Sequence, residues 1–177
     1  GLTYQITGGG DAALFSINSN TGVVTFNSAP DFENPADNNA DNNYEIQVTV
    51  TDSGGLTDNQ AITITVTDIN EAPTIISSAT TSVAENQTSA IDVNTSDPDD
   101  SEGSGLTYAI TGGVDAALFS INSNTGVVTF NSAPDFENPV DSNADNNYEI
   151  QVTVTDSGGL TDNQAITITV TDANDAP

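Results

Sequence analysis

Asp68-Ile69-Asn70-Glu71-Ala72-Pro73 sets three oxygen-bearing side chains ahead of a rigid proline. The pattern returns at the end of the chain as Asp172-Ala173-Asn174-Asp175-Ala176-Pro177. Carboxylate, amide and backbone oxygens packed this closely suit a hard divalent cation. Calcium takes roughly six to eight such ligands, whereas magnesium demands a tighter octahedron and keeps its waters. The rest of the composition sharpens the point. The chain carries 26 Asp and Glu residues and no Lys, Arg or His, for a formal charge of -26. No carboxylate can pair with a basic side chain of its own chain. Each must stay solvated, accept hydrogen bonds from neutral donors, or bind a cation from outside. The first hexapeptide lies between two copies of nearly one sequence, so it reads as a joint between β-domains stiffened by calcium.

The same composition excludes several functions. Nothing in the chain could neutralise phosphates, so nucleic acid is not an expected partner. An anionic membrane surface is disfavoured on the same ground. No apolar run is long enough to cross a bilayer, so no membrane insertion is expected in this segment. Without His, Cys or Lys, acid–base catalysis would fall to a carboxylate pair in a cleft, as in glycosidases. Every acidic cluster here fits a metal better, and no enzyme is expected. There is no cysteine and hence no disulfide. Acidity, abundant Thr and Asn and the lack of thiols point to an extracellular or cell-surface protein.

Residues 1–73 align with residues 105–177 without a gap. The copies differ only at Gln5/Ala109, Gly10/Val114, Ala36/Val140, Asn38/Ser142, Ile69/Ala173 and Glu71/Asp175. A repeating unit of about 100 residues is the ordinary size of a β-sandwich. Residues 74–104 occur once. Residues 74–177 therefore read as a complete repeat, residues 1–73 as an incomplete one lacking its first strands, and residues 68–73 as the linker. Gly1 falls inside a repeat, so either the chain is a window on a longer array or a neighbouring chain donates the missing strands.

Strand signals recur through the complete repeat. Thr74-Ile75-Ile76 and Thr81-Ser82-Val83-Ala84 read as a broken edge strand, and Ala90 to Val93 as the next, with Ile91 and Val93 on one face. Leu106, Tyr108 and Ile110 alternate inward. Phe119 and Ile121, then Val128 and Phe130, follow as short strands. Tyr148, Ile150, Val152 and Val154 alternate with polar residues, as do Ile166, Ile168 and Val170. Period two and frequent turns predict an all-β antiparallel sandwich of about seven strands, with Thr-rich outer faces. Asp37-Asn38-Asn39-Ala40-Asp41 and its copy from Asp141 resemble the start of an EF-hand loop, but the central Gly and closing Glu are missing. That loop is either a hydrophilic hairpin or a weaker private calcium site.

Taken in order, these pieces resemble the cadherin repeat in its bacterial extracellular form. Val83-Ala84-Glu85-Asn86 is similar to the family's early glutamate motif. Asp97-Pro98-Asp99 is similar to its acidic loop, and Ala133-Pro134-Asp135-Phe136-Glu137 to its Leu-Asp-Arg-Glu motif, with Phe136 in place of Arg. Val154-Thr155-Asp156 is similar to its late aspartate. The joint is similar to Asp-x-Asn-Asp-Asn-Ala-Pro, one Asn shorter. The resemblance implies tandem Greek-key, immunoglobulin-like (cadherin-type) β-sandwiches with calcium shared at each joint. At the internal joint it implies ligands from Asp31, Glu33, Asp68, Asn70, Glu71 and the Ile69 carbonyl, and from Asp97, Asp99 and Asp156. It implies a second half-set in Glu85, Asp135, Glu137, Asp172, Asn174 and Asp175, and gives Asp52 the role of Asp156 toward a preceding unit. The expected function is a calcium-rigidified structural or adhesive repeat of a long protein, a stiff rod or filament. Its expected partners are like repeats of the same or neighbouring chains, or a cell-surface protein or polysaccharide. The alternatives are a polysaccharide-binding module and a filament subunit completed by a neighbour's strands.

Overall fold

Threonines and β-branched apolar residues in strict alternation favour extended backbone, and this alternation builds every long element of the chain. A computed structural model describes residues 1–174. Among them there is no α-helix; two short 3-10 turns, Ala12–Leu14 and Ala116–Leu118, interrupt a succession of strands. The chain divides into two compact units, Gly1–Ile69 and Asn70–Pro177.

The first unit contains β1 (Thr3–Gly8), β2 (Phe15–Ile17), β3 (Val24–Phe26), β4 (Asn43–Thr51) and β5 (Thr57–Thr65). β1, β4 and β5 form one antiparallel sheet in that order, and β2 pairs with β3. Phe15, Tyr44 and Ile46 are buried. Ile6, Val24, Phe26, Val48, Ile62, Ile64 and Val66 pack against them but stay half-buried. Phe15 and Phe26 lie 4.4 Å apart by ring centroid, and Tyr44 meets Phe26 edge-on at 5.1 Å.

The second unit contains β6 (Thr74–Ile75), β7 (Thr80–Ala84), β8 (Ser89–Asp92), β9 (Thr95–Ser96), β10 (Thr107–Gly112), β11 (Phe119–Ile121), β12 (Val127–Phe130), β13 (Asn147–Thr155) and β14 (Thr161–Thr171). One sheet has the order β10-β13-β14-β7 and the other β11-β12-β8; β6 pairs with β9. With β6 and β7 as two pieces of the first strand, and β8 and β9 as two pieces of the second, this is a seven-stranded sandwich. Tyr148, Ile150, Val152 and Val154 from β13 are fully buried, as are Ile166, Ile168 and Val170 from β14. They close on Val93, Phe119, Val128 and Phe130 from the other side in a single core. The Phe119, Phe130 and Tyr148 rings repeat the arrangement of the first unit, at 4.4 Å, 5.2 Å and 6.0 Å. Edge-on rings of this kind add about 0.5–1.5 kcal/mol per pair beyond the area they bury.

Two details differ from the sequence expectation. β7 pairs with β14 in parallel, from Thr80↔Thr167 to Ala84↔Thr171, so the sandwich is not wholly antiparallel. A bulge in β8 breaks the simple alternation there: Ala90 and Val93 are buried, and Ile91 is half-buried. β10 also shifts register between Ile110 and Gly112, and just beyond it Gly113 has φ 100° and would drive a Cβ into the Glu149 carbonyl. Only glycine holds that backbone so close to the neighbouring strand.

Candidate metal centre

The two ends of the second unit carry its acidic loops. At the end near Asn70, the turn after β13 places Asp156 beneath the linker. The Asn70 amide donates to Asp156 Oδ2 at 2.7 Å, and the Leu160 backbone N–H donates to Asp156 Oδ1 at 2.7 Å. Burial pushes the Asp156 carboxyl up. The Asn70 amide, then the N–H groups of Leu160, Gly159 and Gly158, outweigh it and hold the group below the ordinary carboxylate value. A Cβ on Gly158 would stand 2.6 Å from the Asn70 amide atoms, so a larger residue there would displace that amide.

The acidic loop after β9 completes this end. Asp97 Oδ1 accepts from the N–H groups of Asp99 and Asp100, at 2.9 Å and 2.7 Å, which winds the loop into a tight turn. Asp99 Oδ2 accepts from the Glu71 N–H at 3.0 Å. Asp100 Oδ2 accepts from the Ser157 N–H at 2.7 Å and ties the loop to the Asp156 turn. Asp97 Oδ2 is buried without a hydrogen-bond partner among the described residues. An acceptor in that position suits a bound cation, since an uncompensated buried oxygen costs free energy.

At the other end, Glu85 leaves β7 pointing inward and is only 4% exposed. Its Oε1 accepts from the Ala173 N–H at 2.9 Å and its Oε2 from the Phe136 N–H at 2.8 Å. These two donors, Ala173 first, hold its carboxyl below the ordinary value against the opposing effect of burial. The Phe136 bond sets Glu85 against the exposed carboxylates on either side of that residue. One oxygen each from Glu85, Asp135 and Glu137 lies within 4.8 Å of the others. Asp172 and Asn174 flank Ala173 and are exposed. Asp175 lies outside the described residues.

In the first unit, Asp31, Glu33, Asp68 and Ile69 are all exposed. Asp31 Oδ1 accepts from the Asn34 N–H at 3.0 Å, as Asp135 Oδ1 does from Asn138 at 3.1 Å. Asp52 makes its own turn, accepting from Gly54 and Leu56 at 2.8 Å and 2.9 Å, and remains exposed.

The donor set is carboxylate, amide and backbone oxygen throughout, without imidazole or thiolate, which is the chemistry of a hard cation and not of zinc or copper. The second unit thus brings Asn70, Asp97, Asp99 and Asp156 to one end and Glu85, Asp135 and Glu137 to the other.

Four further buried carboxylates, two of them at the head of the loops that the sequence left open between hairpin and calcium site, accept backbone N–H groups. Asp115 is buried and accepts from the N–H groups of Ser142 and Glu149 at 2.8 Å and 2.9 Å; Asp11 does the same for Asn38 and Glu45 at 2.7 Å each. Asp141 is buried and accepts from Asp145 and Asn146, and Asp37 likewise from Asp41 and Asn42. The loop from Asp141 is therefore wound about its own carboxylate, as Asx turns are. Only the Asp at the head of a short turn hints at Asp115, because its partners lie 27 and 34 residues away.

A two-layer sandwich with acidic loops at both ends defines a class of tandem β-repeat. The Cadherin domain profile matches residues 1–67 and 79–171, and the chain belongs to the cadherin family. It is 31% identical over 181 residues to Protocadherin Fat 2 of Rattus norvegicus, covering 98% of this chain and 4% of that protein. It is 35% identical over 137 residues to Halomucin of Haloquadratum walsbyi, covering 71% of this chain and 1% of that protein. The chain thus spans a small fraction of the length of these relatives. Mouse Cadherin-23 EC22-24 shares the fold at TM-score 0.64 and 24% identity, over 97% of this chain and 53% of that one. Drosophila N-cadherin EC1-4 does so at TM-score 0.62 and 24% identity, over 97% and 41%.

Proposed function

We propose that the chain is a calcium-rigidified adhesive repeat of a long extracellular or cell-surface protein. Residues 1–73 are a repeat lacking its opening strands, residues 68–73 the linker, and residues 74–177 a whole repeat. The observation that carries this reading is the Glu85, Asp135 and Glu137 cluster, three carboxylates within 4.8 Å in a chain with no cationic side chain. Their repulsion is relieved only by salt or by a bound cation. Asp172, Asn174 and Asp175 would complete that end. At the linker, Asp31, Glu33, Asp68, the Ile69 carbonyl, Asn70, Glu71, Asp97, Asp99 and Asp156 would hold calcium. A divalent ion there supplies positive charge that the polypeptide lacks and links residues on both sides of the linker. Cadherin membership supports the extracellular placement, and like repeats of the same or neighbouring chains are the partners that placement favours.

The test is small-angle scattering on the whole chain, with calcium and then with excess chelator. A narrow distance distribution that broadens on chelation supports the reading. Identical profiles, together with no heat of calcium binding by calorimetry, overturn it.

A further inference from the structure

Both copies of the repeated sequence carry the same pocket, away from any strand edge. In the second unit a cavity of about 260 Å³ opens between the 3-10 turn Ala116–Leu118, the end of β12 and the loop that follows it. Its counterpart in the first unit measures about 170 Å³. The eleven residues lining one are the counterparts of the eleven lining the other, and only Ala36/Val140 differs. No residue of 74–104 lines either cavity, so the pocket belongs to the repeated sequence itself. Both volumes fall below the roughly 300–1,000 Å³ of sites for drug-sized ligands, which suits a single side chain.

Leu118, Phe130, Pro134, Val140 and Tyr148 give the larger cavity apolar walls, and Asp135 is the one charged residue lining it. Val140 is 65% exposed, so the apolar wall reaches the surface. Tyr148 is fully buried, and its hydroxyl has no hydrogen-bond partner among the described residues. In the first unit the Ala36 N–H donates to the Tyr44 hydroxyl at 3.3 Å. Burial pushes the Tyr148 hydroxyl up; the Val140 N–H, outside hydrogen-bond geometry, opposes this, and the Asp141 and Asp115 carboxylates add to it. Negative charge thus stands both at Asp135 and beside Tyr148. An anion would be repelled here, and an apolar group would leave the Tyr148 oxygen unsatisfied.

We infer that this pocket receives an arginine side chain of a basic partner protein. The arginine stem lies along the apolar walls, and its planar head stacks on a ring while donating to Asp135 and to the Tyr148 oxygen. Arginine offers five donors and no acceptor, which matches a lining with carboxylate and hydroxyl oxygens and no cation. An arginine held in a pocket is also a common anchor of protein interfaces. No copy of this sequence supplies that side chain, since it contains neither Lys nor Arg. The partner is therefore a different polypeptide, not a like repeat of this sequence. The inference does not rest on calcium, although Asp135 belongs to both sites, and its test is made in chelator.

The experiment titrates the capped peptide Gly-Ser-Arg-Ser-Gly into the whole chain, followed by NMR, at physiological salt to screen exposed charges. The expected result is saturable binding at millimolar peptide, with shifts centred on Leu118, Asn131 and Tyr148 and weaker ones on Leu14, Asn27 and Tyr44. Lysine in place of arginine weakens binding, and so does citrulline, which keeps the shape and removes the charge. Asp135→Asn keeps the oxygen that accepts from the Asn138 N–H, yet weakens binding at the second pocket roughly tenfold. Glu102→Gln removes the same charge from an exposed loop and leaves the affinity unchanged. Three results would overturn the inference: shifts spread over the acidic loops without saturation, equal binding by the lysine or citrulline peptide, or equal weakening by Asp135→Asn and Glu102→Gln. Each of them leaves the calcium reading standing, because no calcium is present.

Discussion

Asn70 donates its side-chain amide to Asp156 at 2.7 Å across 86 residues of sequence. The bond anchors the start of the second unit to the turn after β13. It is also one of the contacts that keep a buried carboxyl ionised.

Replacing Asn70 with Ala removes the largest interaction opposing burial at Asp156. The Asp156 carboxyl then titrates at higher pH, as read by carboxyl carbon shifts in calcium-free buffer. Gly158→Ala has the same direction, because the new methyl occupies the space of the Asn70 amide. An unchanged titration in both variants would mean the amide does not hold that charge.

Glu85 gives the second unit a pH dependence. Its folded carboxyl lies below its ordinary value of 4.5, held there by the Ala173 N–H and then the Phe136 N–H. A group whose folded pKa is depressed stabilises fully above its unfolded value, and that stability is lost as pH falls through the folded value. Urea midpoints measured without calcium should hold steady above the ordinary value and decline below it. Glu85→Gln should flatten the decline.

Asp135→Asn and Glu137→Gln each remove a charged oxygen from the cluster with Glu85. Loss of an outer-shell partner alone typically lowers metal affinity roughly 10–100-fold. Either substitution should weaken calcium binding at that end by at least this much in calorimetry, while circular dichroism stays unchanged because both side chains are exposed.

Phe130→Ala should destabilise the second unit by about 3–5 kcal/mol, the usual cost of truncating a buried aromatic. Phe26→Ala, the same change in the same local sequence, should cost less, since Phe26 is only partly buried. Stepwise urea unfolding of the whole chain compares the two directly.

Much of the sandwich was legible from the alternation alone. Tyr148, Ile150, Val152 and Val154 are buried as their spacing predicts. Parallel pairing of β7 was not legible, because alternation places side chains on faces and is silent about strand direction. The half-burial of Ile62 and Ile64 cannot be read from their own strand, whose sequence is that of the buried Ile166 and Ile168. At the site, Glu85, Asp135 and Glu137 were expected together because their motifs occur in family order. Asp115 was not, since its role depends on backbone donors brought near only by the fold.

The shared direction of β7 and β14 bears on how a repeat meets tension. A pull on both ends of the second unit drags these two strands lengthwise past one another. The cross-links from Thr80↔Thr167 to Ala84↔Thr171 then share the load in shear. A hairpin pulled from its open end would instead unzip one rung at a time. The second unit thus places a mechanical clamp where its own first and last strands meet.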